Sequence, residues 1–331
     1  MQSCINQQWM KSLKNRSPFK FKKPFFYFYI LEIMAIFKFM LQVWHKPVFK
    51  RSILFVAGLI PDKLYVKMIF RGKLGYKLNL KNPQTFNEKL NWLKLYNRQP
   101  LYTSFADKYA VKKYVADKIG EQYVVKNLGV WNSFDDIDFE SLPNQFVLKC
   151  THDSSGALVC RDKNTFDRDA AKERVDFVMK MNYFYACREW PYKNIPHRII
   201  ADEFLDDGTG HELNDFKFWC FNGKPTYMYC TVKAKDVYEN FYDMEFNPVN
   251  IDHGFRRRDP EFEKPAAFEL MKELAAKLSE GIPFVRIDFF YVNGKVYFGE
   301  YTFFDWAGLQ PFNPKEQDLK LGQLIILPER Q

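Results

Sequence analysis

Two strand-like runs on either side of Asn293-Gly294 constrain the fold of this chain more than any other feature of its sequence. Residues 285–292 and 295–304 are rich in β-branched and aromatic side chains. An Asn-Gly pair between two such runs is typical of a β-hairpin, because these two residues tolerate the backbone angles of a tight turn. The end of the chain is therefore expected to contain two antiparallel strands.

The length of the turn decides whether the polar side chains of this hairpin meet. Side chains alternate between the two faces of a strand, so a three-residue loop over 292–294 directs four polar groups to one face, namely Arg286, Asp288, Glu300 and Thr302. A two-residue turn would place Asp288 and Glu300 on opposite faces unless a bulge compensated for it. We expect the longer loop, because it lets both carboxylates share one cation. The alternative is a solvated polar face at the edge of a sheet.

Charge is distributed unevenly along the 331 residues. Residues 1–50 contain nine Lys or Arg and a single acidic residue, Glu32, whereas residues 51–331 are nearly neutral. The body of the protein therefore lacks the positive charge of a nucleic-acid groove. Six cysteines without CxxC or zinc-finger spacing indicate reduced thiols in a cytoplasmic protein.

The N-terminal segment combines basic and apolar residues. Residues 11–23 are rich in Lys and Arg, and the apolar run 24–44 that follows is interrupted by Glu32 and Lys38. No uninterrupted apolar stretch is long enough to span a membrane, and no signal-peptide cleavage site follows the run. We expect peripheral contact of residues 11–45 with the inner face of the cell membrane, through a basic helix in its interface. The alternatives are a helix docked on the protein and an extension upstream of the true start of the protein.

Helices are predicted on both sides of the strand-rich part. Thr85 and Glu88 form a capping-box pattern at the start of a run with helical spacing. A second helix follows Asp107 and ends at Gly120, and two further helices cover residues 166–181 and 262–280.

Lys149 lies on a predicted strand, 146–150, that leads into the polar loop 151–156. Backbone N–H groups of a Ser/Gly loop can bind phosphate oxygens, and a lysine adds a point charge. The alternative is a hairpin with a polar tip. The nearby histidine, His152, is expected to be exposed in this loop.

Two further strand regions lead towards the C-terminal hairpin. Residues 198–205 form an acidic strand, and residues 215–232 form a second hairpin around Asn222-Gly223. Alternation places Asp215 and Lys217 on one face of this hairpin.

The order of these elements resembles the ATP-grasp superfamily and, in detail, the TupA-like family of teichuronopeptide biosynthesis in bacterial surface-polysaccharide gene clusters. A lysine strand, a Ser/Gly loop, an acidic strand, a lysine-bearing hairpin, an R-x-D segment and a closing E-x-T segment follow one another as in that family. The matching segments are Asn82–Leu90, Ala106–Val111, Val147–Gly156, Asp215–Trp219 and the hairpin 285–306. The resemblance covers about residues 60–328, and it rests on the joint order of the motifs rather than on any single one.

The resemblance implies an α+β fold of the ATP-grasp type. In this fold two α+β lobes with mostly antiparallel sheets clasp ATP, here after a helical N-terminal region. The corresponding division is an N-terminal extension (1–50), a helical region (51–130), a first lobe with the phosphate-binding loop (131–200) and a second lobe with the metal-binding hairpin (201–328).

The resemblance also implies which residues bind ATP. The phosphates would be bound by two lysines and a loop, comprising Lys108, Lys149, Ser154, Ser155 and Gly156. The adenine and ribose would meet the end of the acidic strand, at Glu203 and the backbone of Phe204 and Leu205.

The metal and catalytic residues are implied in the same way. Asp288 and Glu300 would hold Mg²⁺, with Thr302 at the position where the family pattern has asparagine. A hydroxyl is a shorter ligand than an amide, so the third protein ligand is an open question. Arg286 would steady the transferred phosphoryl group or the acyl-phosphate, and Lys217 is the second expected catalytic residue.

The implied activity is that of an ATP-dependent carboxylate–amine ligase in surface-polysaccharide biosynthesis, with ATP and Mg²⁺ as cofactors. Phosphorylation of a carboxylate gives an acyl-phosphate that an amine can attack. The expected partners are a small-molecule or lipid-linked saccharide carboxylate and an amine, and no nucleic acid. The alternatives are a kinase-like or glycosyltransferase-like enzyme of the same pathway, and a non-catalytic membrane-associated assembly protein.

Overall fold

The computed structural model describes residues 58–154, 156–209, 212–233, 237–252, 254–258 and 261–330. The chain divides into a small unit, residues 1–61 with 154–156, and a large unit formed by the rest. The basic segment expected at the membrane, residues 11–45, lies outside the described residues. Within the described ranges no helix is long and apolar enough to cross a membrane.

The large unit begins with helices α1 (Asp62–Leu74), α2 (Phe86–Tyr96), α3 (Pro100–Ala106) and α4 (Ala110–Ile119). The capping box predicted for α2 is confirmed, because the Thr85 side chain accepts a hydrogen bond from the Glu88 N–H and the Glu88 side chain accepts one from the Thr85 N–H. At the start of α4 the Asp107 carboxylate accepts hydrogen bonds from two backbone N–H groups. Gly120 ends this helix with a φ of 119°.

A four-stranded antiparallel sheet follows, in the order β1-β4-β2-β3. Its strands are β1 (Asn127–Trp131), β2 (Phe146–Cys150), β3 (Leu158–Cys160) and β4 (Ile199–Glu203). Between β3 and β4 lie α5 (Arg168–Met179) and the short α6 (Phe184–Cys187). Phe146 and Leu148 of β2 pack with Val175 of α5 in a buried core, so the alternate residue Lys149 lies on the opposite face.

The second sheet has six antiparallel strands in the order β10-β9-β5-β6-β7-β8. They are β5 (Asp215–Phe221), β6 (Lys224–Lys233), β7 (Val237–Tyr242), β8 (Pro248–Val249), β9 (Phe284–Val292) and β10 (Lys295–Thr302). Helix α7 (Phe268–Ser279) packs on the apolar face of this sheet, where Phe268 contacts Phe218 with ring centroids 5.9 Å apart. Helix α8 (Glu316–Leu324) is the last helix of the described residues.

Helix α2 packs on the opposite face of this sheet. Phe86 stacks on Trp219 of β5 at 5.2 Å and meets Phe284 of β9 edge-on at 4.9 Å. Because Trp219 and Lys217 share a face of β5, α2 lies over the polar face of the sheet.

The turn of the C-terminal hairpin differs from the prediction. Val292 pairs directly with Lys295, and Asn293 and Gly294 have φ values of 50° and 78°, so the turn has two residues and the expected three-residue loop is wrong. The Asn-Gly pair suits this tight turn because both of its residues tolerate positive φ.

A bulge within β10 compensates for the short turn. Phe298 pairs with Phe289, whereas Glu300 pairs with Asp288, so Gly299 is the extra residue between them. A side chain at Gly299 would place its Cβ 3.0 Å from the Asp288 carbonyl oxygen, which is why glycine fits here. The bulge shifts the alternation by one residue and brings both carboxylates to the same face.

Candidate active site

Charged side chains from three neighbouring strands meet on the polar face of the six-stranded sheet. Asp288 of β9 lies directly opposite Glu300 of β10 and directly opposite Lys217 of β5. Arg286 lies opposite Thr302 in the same ladder. Period-two alternation therefore converts five separate sequence positions into one cluster.

Arg286 is the centre of this cluster and is bonded to three carboxylates. Its Nε and Nη2 donate to the two oxygens of Asp288 at 2.7 and 2.6 Å, in a two-pronged contact. Nη2 also reaches Glu300 Oε1 at 2.8 Å, and Nη1 reaches Asp305 Oδ1 at 2.5 Å and the Tyr229 hydroxyl at 3.3 Å. In this arrangement the guanidinium is a scaffold for acidic side chains.

Lys217 completes the buried part of the cluster. Its ammonium lies 3.0 Å from Asp215 and 3.2 Å from Asp288. Burial alone would lower the pKa of Lys217, but the two carboxylates outweigh burial and raise it, so the lysine stays charged. The cluster thus sets four carboxylates (Asp215, Asp288, Glu300 and Asp305) against two bonded cationic side chains.

Lys108 and Glu300 both line a small cavity next to this cluster. Tyr192 and Gly299 also line it. Glu300 has 41% of its side chain exposed, whereas Asp288 has only 4%. Burial would raise the pKa of Glu300, but Arg286 and Lys108 lower it, so Glu300 presents an ionised carboxylate to the cavity.

Lys108 is also tied to the chain that leaves β2. Its ammonium donates to the Asp153 carbonyl and its backbone N–H to the Thr151 carbonyl. The residue thus connects the start of the predicted phosphate loop to the cavity that Glu300 also lines.

Lys149 belongs to a second charged group, on the four-stranded sheet. Its ammonium lies 3.0 Å from Asp202 Oδ2 on β4, and Lys112 of α4 lies 3.1 Å from Asp202 Oδ1. Burial would raise the pKa of Asp202, but Lys149 and Lys112 lower it. Asp202 thus pairs with both lysines, while the binding of adenine and ribose by the next residue, Glu203, stays a prediction.

The expected adenine-binding residues follow directly on this group. Glu203 is exposed, and its backbone N–H donates to the Lys126 carbonyl at 2.9 Å. The half-buried Phe204 lies under the Arg161 guanidinium, 5.1 Å from its ring centroid. Leu205 is half-buried.

Residues 154–156 of the expected phosphate loop belong to the small unit, and residues 151–153 to the large one. Ser154 and Gly156 are exposed, and Gly156 has a φ of 105° that favours glycine. Ser155 lies outside the described residues.

His152 is buried, so the expectation that it is exposed is wrong. Its ring stacks on His197 with centroids 3.6 Å apart, and its Nε2 is 3.1 Å from the Val178 carbonyl oxygen at the end of α5. Burial, with the neighbouring His197, lowers the pKa of His152 to about 4, so this histidine is neutral near pH 7.

The donor set on the hairpin fits Mg²⁺ in its chemistry and charge. Asp288 and Glu300 supply the hard carboxylate oxygens that this cation prefers, and the cluster has more carboxylates than bonded cations. Thr302 donates to Glu300 Oε1 at 3.3 Å. Both Asp288 oxygens are bonded to Arg286 or Lys217, and in the described part of the chain no three His, Cys, Asp or Glu are arranged to hold a metal. The carboxylates are thus held by cationic side chains in this conformation.

Three residues of the two groups escaped the sequence analysis: Asp202, Lys112 and Asp305. Asp305 follows β10, and its buried carboxylate also accepts from Trp219 Nε1 at 3.2 Å. An acidic residue after an aromatic run carries no recognised signal, and the lysine contacts of Asp202 depend on strand register and helix placement.

Comparison with known proteins gives one family match. The family model described as TupA-like ATPgrasp matches residues 88–326. No curated protein matches the chain.

The chain is also similar, at low identity, to solved structures of ligases. D-alanine–D-alanine ligase from Helicobacter pylori has 17% identity and a TM-score of 0.40, over 75% of this chain and 68% of that one. D-alanine–D-alanine ligase from Bacillus anthracis complexed with ATP has 13% identity and a TM-score of 0.35, over 60% of this chain and 53% of that one. The ATP-grasp ligase PsnB has 11% identity and a TM-score of 0.37, over 65% of this chain and 58% of that one. The chain thus spans little more than half of the last two, and the family assignment rests on the family model.

Proposed function

The chain belongs to the TupA-like ATP-grasp family, and on this premise we propose that it is an ATP-dependent carboxylate–amine ligase acting through an acyl-phosphate. ATP and Mg²⁺ are the cofactors of ATP-grasp ligases. The observation that carries the proposal is the direct pairing of Asp288 with Glu300 next to Lys108. Paired carboxylates beside a lysine are the groups that a metal-bound polyphosphate requires.

We assign different roles to the exposed and the buried side chains of the cluster. Glu300 and Lys108 line the cavity, so they would contact the bound nucleotide, with Mg²⁺ supplying charge neutralisation at its phosphates when bound. Asp288 and Thr302 would complete the metal-binding set. Arg286 and Lys217 are more deeply buried and bonded to carboxylates, so their role is to hold Asp288 and Glu300 at fixed positions.

On the four-stranded sheet, Lys149 would reach the phosphates while its ammonium is oriented by Asp202. Ser154, Ser155 and Gly156 would close over them, and Glu203, Phe204 and Leu205 would meet the adenine and ribose. The proposed lobes are residues 131–200 and 201–328, after a helical region 51–130.

The reaction follows from these parts. A carboxylate oxygen attacks the γ-phosphorus of ATP and ADP leaves, which gives an acyl-phosphate. The amine then attacks the acyl carbon, and inorganic phosphate leaves with the former carboxylate oxygen while the amine loses a proton. We propose a saccharide acid of a surface polysaccharide, free or lipid-linked, as the carboxylate and an amino acid as the amine, in keeping with the TupA-like family.

Oxygen-18 transfer tests the reaction class. The protein is incubated with ATP, Mg²⁺, ¹⁸O-carboxylate-labelled uronic acids and pooled amino acids, and the released phosphate is analysed by mass spectrometry. A ligase transfers one ¹⁸O from the carboxylate to phosphate. ADP formation with a stable phosphorylated sugar would instead identify a kinase. If the protein consumes no ATP and its melting temperature does not change with nucleotide, the non-catalytic assembly protein is supported.

Two substitutions test the metal assignment. Asp288→Asn and Glu300→Gln should each lower ADP release by about two orders of magnitude or more, the scale of losing one preorganised charge in an active site. The matched control is Asp135→Asn, which removes an exposed carboxylate paired with Lys172. Turnover that survives in both site variants would show the assignment to be wrong.

We also propose that the protein works at the inner face of the cell membrane, in the cytoplasm. Support comes from the nine basic residues within positions 1–50, which lie next to an apolar run.

A further inference from the structure

A strained turn begins three residues after the end of β10. In the segment Asp305–Gly308, Trp306, Ala307 and Gly308 have φ values of 48°, 55° and 57°. Side chains other than glycine rarely adopt this left-handed conformation, and two in succession persist only when neighbouring groups hold them.

Helix α2 supplies the groups that hold this turn. Asn91 donates from its Nδ2 to the Gly308 carbonyl at 2.7 Å and to the Asn87 carbonyl at 2.8 Å. Lys94 donates from its ammonium to the Ala307 carbonyl at 2.5 Å and to Asn91 Oδ1 at 3.1 Å. Both side chains are fully buried, so the turn is anchored away from solvent.

This turn also places Asp305 against the charged cluster around Arg286. The Asp305 side chain is 1% exposed and accepts hydrogen bonds from Arg286 Nη1, Trp219 Nε1 and the Tyr229 hydroxyl. Arg286 then bonds Asp288 and Glu300. A continuous set of bonds therefore runs from α2 through the turn to the carboxylate pair.

We propose that Asn91 and Lys94 are positioning residues for this carboxylate pair, acting through Asp305 and Arg286. Burial of a lysine ammonium against neutral oxygens costs free energy, so stabilisation of α2 alone does not account for Lys94. The ammonium does hold the Ala307 carbonyl, in a turn whose strained backbone would otherwise relax. The inference rests on the proposed function only where it assigns the pair to a magnesium-bound nucleotide.

The test compares Lys94→Met with a variant that relieves the strain. Calorimetric titration with ADP, which undergoes no turnover, gives the affinity with Mg²⁺ and with EDTA. Lys94→Met should weaken ADP binding in Mg²⁺ by about 10- to 100-fold, as is usual when an outer partner of a metal site is lost, and leave binding in EDTA unchanged. Adding Ala307→Gly should restore most of the loss, because glycine adopts the left-handed conformation without strain.

Two further variants serve as references. Lys89→Met is the matched control, because Lys89 is also on α2 and donates to a backbone carbonyl, that of Ile325 at 2.7 Å, away from the turn. It should leave both affinities unchanged. Asp305→Asn should reproduce the loss in Mg²⁺, and Ala307→Gly should not rescue it, because the turn is intact in that variant.

Several outcomes would overturn the inference. A Lys94→Met variant with a lower melting temperature but the wild-type magnesium-dependent affinity would show that the role of Lys94 is merely structural. Failure of Ala307→Gly to rescue Lys94→Met would exclude the route through the turn. A crystal structure of Lys94→Met that retains the bond between Asp305 and Arg286 would overturn it irrespective of nucleotide binding, whereas a wild-type protein that binds no ADP would contradict the proposed function itself.

Discussion

Asp202 is a buried carboxylate that binds two lysines from different elements. Lys149 comes from β2 and Lys112 from α4, and each bonds a different oxygen of Asp202. The carboxylate is 4% exposed, whereas the two lysines are 27% and 16% exposed. Asp202 therefore joins the four-stranded sheet to the helical region and fixes the ammonium of Lys149.

Asp202→Asn should cost about 3 kcal/mol in the free energy of unfolding, the lower end of the range for breaking a buried ion pair, because both lysines keep some contact with water. Urea denaturation at pH 7 measures the loss. Lys149→Met in the Asp202→Asn background should cost less than Lys149→Met alone, since the partner is already gone. Fully additive losses would show that the pair contributes nothing to stability.

His152 gives the protein a predictable loss of stability in mild acid. Its folded pKa of about 4 is below the value of 6.5 for a free histidine, so the unfolded chain binds the proton first as the pH falls. The stability that neutral His152 contributes is therefore present above pH 6.5 and is lost progressively towards pH 4. Between pH 7 and pH 5 the loss should be about 2 kcal/mol.

His152→Phe tests this pH dependence. Phenylalanine can still stack on His197 but cannot take up a proton, so the variant should lose about 2 kcal/mol less than the wild-type protein between pH 7 and pH 5. Denaturant titrations at the two pH values give the difference directly. Equal losses in both proteins would assign the acid sensitivity to other groups.

Single residues were predictable from the sequence only where a local pattern carried them. The capping box at Thr85 and Glu88 is local, and it formed as predicted. The burial of His152 depends on His197, which is 45 positions away, and on the end of α5. Likewise, Lys149 could be recognised as a strand lysine, but its partner Asp202 depends on the register between β2 and β4.

At the scale of elements, the hairpin of β9 and β10 shows how two local features combine. The tight turn alone would separate Asp288 from Glu300, and the bulge at Gly299 alone would do the same with a longer loop. Together they place the two carboxylates opposite each other. The sequence predicted that these carboxylates share a face, but it attributed this to a three-residue loop. The bulge could not be predicted, because it depends on how closely two backbones approach.

Gly299→Ala should disturb the carboxylate pair directly. The new Cβ would lie 3.0 Å from the Asp288 carbonyl oxygen and 3.3 Å from the Asp288 Cβ, so β9 and β10 must move apart. We expect a loss of about 1–3 kcal/mol in the free energy of unfolding, as for other overpacked sites, together with a loss of ADP release.

Gly72→Ala is the control for this substitution. Gly72 lies within α1, and a Cβ there would meet nothing within 4 Å. The same chemical change should therefore stabilise the protein by about 0.5–1 kcal/mol through helix propensity. If Gly299→Ala behaves like this control in both stability and activity, the bulge does not determine the site.

At the scale of the whole molecule, positive charge is concentrated at the N-terminal end of the chain, and residues 51–331 are nearly neutral. The cluster on the C-terminal sheet has an excess of carboxylates, whereas residues 1–50 have nine basic residues and one acid. The overall charge of +9 describes neither part. Motif order was sufficient to predict the α+β class and the family, because the order survives even where individual turns and partners are mispredicted.

The N-terminal charge leads to a prediction about membranes. Each basic residue near an anionic bilayer contributes about 1 kcal/mol to binding, so residues 11–45 should retain the protein on vesicles that contain phosphatidylserine. Deletion of residues 1–45 should release it to the supernatant.

Replacing Lys11, Lys14, Lys20, Lys22 and Lys23 by Gln should also weaken binding, because the apolar run remains but the charge is reduced. Raising the ionic strength should weaken wild-type binding in the same way, because salt screens surface charges. Co-sedimentation that is equal for the wild-type protein, the Gln variant and the deletion would contradict the prediction that residues 11–45 bind the membrane.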